Sequence, residues 1–105
     1  MIYELREYIA YEQKIDALHR RFQSDVLQLF KKHNIRVKGF WTDLKNPAKL
    51  IYLCQFDSEK EQKNAWAAFA NDPEWRKVKQ ISEAEGPLTL SMNSVLLEPV
   101  DYVQQ

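Results

Sequence analysis

Glycine, cysteine and a surplus of either charge are what this chain has least of. Only Gly39 and Gly86 occur in its 105 residues. That is too few for a glycine-rich loop around a phosphate, which argues against a nucleotide site. The lone cysteine, Cys54, excludes an internal disulfide and any multi-cysteine zinc site, and fits a reducing compartment. Lysine plus arginine total 15, as do aspartate plus glutamate, so the formal net charge is zero. Such a balance leaves no electrostatic footprint for nucleic acid or an acidic membrane. No apolar run approaches the roughly 20 residues of a membrane span. Met1 leads directly into Ile2-Tyr3-Glu4-Leu5 without a basic leader, so a soluble, cytoplasmic protein is expected.

Hydrophobic residues make up 45% of the chain, a composition for packed elements. At this length one domain over residues 1–105 is expected. Folding it should bury roughly two-thirds of the unfolded surface. Residues 2–10 alternate as a strand does. Tyr3, Leu5 and Ile9 share one side, assigned to the helix-covered core, and Glu4, Arg6 and Tyr8 share the other. Residues 14–33 have helical period, with Ile15, Leu18, Phe22, Val26, Leu29 and Phe30 in one stripe, and Asn34 suits the turn that ends a helix.

Residues 35–42 alternate again, placing Ile35, Val37 and Trp41 opposite Arg36, Lys38 and Phe40, and Lys45-Asn46-Pro47 marks a turn. Residues 50–56 are apolar on both parities, as in a strand covered on two faces. Ser58 and Glu61 form a capping box for a helix that carries Ala65, Trp66 and Phe69 inward. Asp72-Pro73 starts a further helix, with Trp75, Val78 and Ile81 as its stripe, and Gly86-Pro87 ends it. Residues 88–97 make the last strand. The order is βαββαβ, the ferredoxin-like α+β plan: a four-stranded antiparallel sheet with helices on one face. The other face then needs a cover.

Few residues offer chemistry. His19 and His33 are 14 positions apart on one helix, about 21 Å, and cannot share an ion. His33 suits a helix C-terminus, whereas His19 borders the apolar stripe and could face a cavity. Neither has carboxylate or cysteine partners at ligand spacing, so no metal and no cofactor are expected. Cys54 reads as a small hydrophobe, and Gly39 as a bulge or a close backbone approach. Glu4 and Arg6 share a strand face, so an ion pair is their expected use. An acid from a second subunit could serve Arg6 as well.

Tyr3-Glu4-Leu5-Arg6-Glu7-Tyr8, then Gly39-Phe40-Trp41-Thr42, then the helix start from Ser58 to Trp66 followed by Asp72-Pro73-Glu74-Trp75, resemble the NIPSNAP family in order and spacing. The resemblance covers essentially the whole chain. It implies a dimeric α/β barrel, in which two ferredoxin-like subunits press their open sheet faces together. Where relatives often have an arginine in the second helix this chain has Gln62, so no role of that arginine carries over. The family brings no agreed catalytic residues.

The expected function is therefore a non-catalytic homodimeric module, or a binder of a small apolar or acidic ligand in the barrel cavity. Arg6, Tyr8, His19 and Phe40 are the candidate lining, with Arg6 as anchor for an acid group and Tyr8 against the ligand's body. A cofactor-free monooxygenase- or isomerase-like enzyme is the alternative, resting on likeness of fold alone.

Overall fold

In the computed structural model, which describes residues 1–102, strand β1 (Ile2–Ala10) runs through the middle of the molecule. It pairs antiparallel with β3 (Asn46–Phe56) on one side and β4 (Thr89–Leu97) on the other. Adding β2 (Arg36–Asp43) gives the order β2-β3-β1-β4, the expected ferredoxin-like sheet. Between β1 and β2 lie α1 (Ile15–Arg21), a π-helical turn (Phe22–Val26) and α2 (Leu27–Lys32). Between β3 and β4 lie α3 (Glu59–Ala70) and α4 (Pro73–Ser82).

The helix ends form where local chemistry dictates. Ser58 Oγ accepts from the Glu61 amide at 3.1 Å, and Asp72 Oδ1 accepts from the Glu74 amide at 2.8 Å with Pro73 in the first turn. Asn34 takes the left-handed conformation at φ 61°, closing α2, and Gly86 does so at φ 113° after α4. The helix expected over 14–33 is interrupted by the π turn, where the Leu27 amide reaches back to the Phe22 carbonyl. Pro47 falls inside β3 rather than in the turn. It sits where the β2–β3 register shifts between Thr42 and Asp43, so no ladder bond is asked of it.

The core lies on one face of the sheet. Leu50, Tyr52, Cys54 and Phe56 are buried there under Leu18, Phe22, Phe30 and Phe69, while Ile51, Leu53 and Gln55 point to the open face.

Two side assignments made from the sequence are reversed. In β1, Glu4, Tyr8 and Ala10 are buried beneath the helices with Arg6 partly buried between them, and Tyr3, Leu5 and Ile9 take the open face. Counting aliphatics misjudged this strand because its polar residues find partners under α3. In β2, a bulge between Val37 and Gly39 inserts one residue, so Val37 and Phe40 both pack on the core and Trp41 turns outward. The Trp41 ring then covers Gly39, where a Cβ would stand 2.6 Å from it. Gly39 thus provides the close approach expected of it, next to the bulge.

Candidate functional site

Successive even positions of β1 project Glu4, Arg6 and Tyr8 side by side, and the register sets Tyr52 of β3 opposite Arg6. The Glu4 carboxylate, 1% exposed, accepts three hydrogen bonds. Its Oε1 accepts from Trp66 Nε1 at 2.7 Å and Gln62 Nε2 at 3.0 Å, and its Oε2 accepts from Arg6 Nη1 at 2.7 Å. Arg6 Nε donates to the Tyr52 hydroxyl at 2.9 Å, Nη2 donates to the Tyr8 hydroxyl at 3.0 Å, and the two phenols are 2.6 Å apart. The Trp66 ring lies 4.2 Å from the guanidinium carbon, a cation–π contact.

Burial and close contacts shift the ionisation of Arg6, Tyr52 and the neighbouring Cys54. Burial opposes the Arg6 charge, but Tyr52, Tyr8 and Glu4 outweigh it and hold the guanidinium above its ordinary range. Burial, reinforced by Tyr8 and opposed by Arg6, pushes the Tyr52 phenol well above its usual value. Burial and the Glu4 charge push the Cys54 thiol up to about 12, so it behaves as the expected small hydrophobe.

Above the network, between the sheet and the helices, is a cavity of about 290 Å³. Arg6 and Tyr8 reach its floor, Phe30, Trp66, Phe69 and Trp75 wall it, and Met92, half exposed on the edge strand β4, marks where it meets solvent. Trp75 stacks on Phe69 at 4.8 Å. The π turn widens the helix here, and Phe22 and Val26 of that turn line the cavity with Arg21 just before it.

Arg21 is the residue that sequence reasoning missed. Its side chain is nine-tenths buried, and Nη1 donates to Glu83 Oε2 at 2.8 Å and Ser82 Oγ at 3.2 Å at the C-terminal end of α4. Trp75 lies beneath the guanidinium at 5.0 Å. Its Nε is buried and meets no acceptor. The available signal was its spacing, three residues after Leu18 and beside Phe22 on the apolar stripe.

The remaining candidates divide. Arg6 and Tyr8 come together, on the helix side of the sheet rather than the open side expected of them. Phe40 is likewise not on the open face. It stacks on Tyr52 at 4.7 Å and, with His19, lines a separate groove of about 250 Å³ beside Leu50. His33 turns to Asp72, its Nε2 2.6 Å from Oδ2. Among the described residues, no three His, Cys, Asp or Glu side chains are grouped to hold a metal ion, and no helix is long and apolar enough to cross a membrane.

Comparison with known proteins places this geometry in context. The NIPSNAP family model matches residues 3–104. No curated protein is significantly similar in sequence. An uncharacterized NIPSNAP domain protein from Burkholderia xenovorans superposes with a TM-score of 0.84 at 19% identity, covering 100% of each chain. A NIPSNAP family protein of unknown function from Agrobacterium tumefaciens gives 0.84 at 18%, covering 98% of this chain and 91% of the other. A putative antibiotic biosynthesis monooxygenase from Nitrosomonas europaea gives 0.67 at 10%, covering 96% of this chain and 100% of the other. At these identities the likenesses speak for the fold.

Proposed function

The chain belongs to the NIPSNAP family, and from that premise we propose that it is a homodimeric binding module whose sheet–helix cavity takes a small apolar acid. One observation carries the reading. The cavity has aromatic walls and two arginines on its lining, and one of them keeps a buried N–H without an acceptor. A preformed apolar pocket with a few placed polar groups is the usual form of a small-molecule site.

Binding is better supported than proton abstraction. A cofactor-free oxygenase or isomerase needs a base with a lone pair to spare near neutral pH. Here the Tyr52 phenol is held protonated by burial, and Glu4 already accepts three hydrogen bonds. These groups are arranged to hold charge still.

Trp66 and Trp75 supply the test, because a ligand among them should change their emission. Small apolar acids should alter tryptophan fluorescence saturably and raise Tm. Ala70→Trp, a substitution at an exposed lining position, should abolish both responses by filling the cavity. An unchanged response in that variant would place binding elsewhere.

A further inference from the structure

We propose that Arg21, and not Arg6, is the anchor of the cavity, and that the ligand it takes is a planar aromatic monocarboxylate. The inference rests on the cavity reading above and deepens it to a residue and a ligand class.

The two arginines differ in what they have left to give. Arg6 is bound to a carboxylate already, Glu4 at 2.7 Å, and two phenols accept from its Nε and Nη2. A second carboxylate there would meet the charge of Glu4 at close range and low dielectric. Both hydrogen bonds of Arg21 leave from Nη1, toward Glu83 and Ser82. Its Nε stays buried and without an acceptor. A buried donor left unmade is costly, and such an exception calls for an explanation. A guanidinium offers a carboxylate two parallel N–H groups along its Nε edge, and that edge is the one Glu83 leaves free. Ser82 and Glu83 hold the other end, and the Trp75 ring supports the guanidinium face.

The walls choose the body of the ligand. Trp75 stacks on Phe69, while Phe30 and Trp66 meet Phe69 edge-on at centroid distances of 5.1 and 5.9 Å. Flat faces and ring edges at these spacings favour one further ring over a flexible chain, whose ordering on binding costs more. A volume of about 290 Å³ suits a single ring with a short acid arm.

The experiment titrates the full chain with phenylacetate, its neutral counterpart phenylacetamide, and hexanoate, followed by tryptophan emission and calorimetry. Wild type should bind phenylacetate at least tenfold more tightly than either other compound. Arg21→Gln should weaken phenylacetate tenfold or more and leave phenylacetamide unchanged. Glu83→Gln should tighten phenylacetate several-fold, because a neighbouring negative charge is gone while the amide oxygen can still accept from Nη1. That variant and the acid-to-amide ratio decide the matter even if Arg21→Gln fails to fold. Equal binding of acid and amide, or of acid to wild type and Arg21→Gln, overturns the anchor while the cavity reading stands. Preference for hexanoate overturns the aromatic class. If none of the three binds, the anchor proposal and the cavity reading both fall.

Discussion

Glu4 has the most to lose from a single substitution. Its carboxylate is fully enclosed and ends on Arg6, Trp66 and Gln62. Glu4→Gln keeps the shape but leaves Arg6 uncompensated, and should cost about 3–5 kcal/mol in urea unfolding. A buried pair replaced as a whole by apolar residues is often nearly neutral. The double variant Glu4→Gln/Arg6→Met, which keeps an amide oxygen for Trp66 and Gln62 and removes the uncompensated charge, should therefore recover much of that loss, and a double variant worse than Glu4→Gln would refute the pairing. The ion pair itself was legible, since Glu4 and Arg6 stand two apart on one strand. Its side of the sheet was not. That depended on Trp66 and Gln62, which arrive from a distant helix, and hydropathy alone favoured Tyr3, Leu5 and Ile9. Arg21 was illegible for the same reason, because its meaning comes from Trp75 and Glu83.

Among the elements, the junction of α2 and α4 carries a charge lock. Asp72 caps α4 while His33 and Lys32, from the end of α2, contact its Oδ2 at 2.6 and 2.9 Å. The His33 contact first, then Lys32 and the Glu74 amide, hold the Asp72 carboxyl well below the usual carboxylate range, against a smaller opposing effect of burial. A depressed folded-state pKa stabilises above the unfolded value, near 4, and that contribution is lost as pH falls below it. Asp72→Asn keeps a capping oxygen and removes the charge. Its Tm should lie a few degrees below wild type between pH 5 and 7, and the gap should narrow steadily as pH falls from 4 to 2. A gap independent of pH would mean that the cap matters and the charge does not. Ser58, Asp72-Pro73 and Gly86 were legible as element ends because caps act within four residues. Phe40 was misplaced because one bulged residue in β2 reverses the alternation after it.

For the whole molecule, the open face is the feature that demands an answer. Tyr3, Leu5, Ile9, Ile51 and Leu53 are only half-buried there, and Trp41, Val95 and Leu97 are exposed. Soluble monomers rarely show contiguous apolar patches beyond about 300–600 Å². Two such faces joined about a two-fold axis would bury about 800 Å² per partner, the scale of a stable interface. Light scattering at low micromolar concentration should give twice the 12.5 kDa chain mass, and Leu53→Glu, at the centre of the face, should give a folded monomer. A wild-type monomer would remove the homodimer. The cavity lies on the far side of the same sheet, so in such a dimer each subunit would carry its own pocket and lend nothing to its neighbour's. Such an assembly would fill at one ligand per chain along a simple hyperbola, each half indifferent to whether the other is occupied.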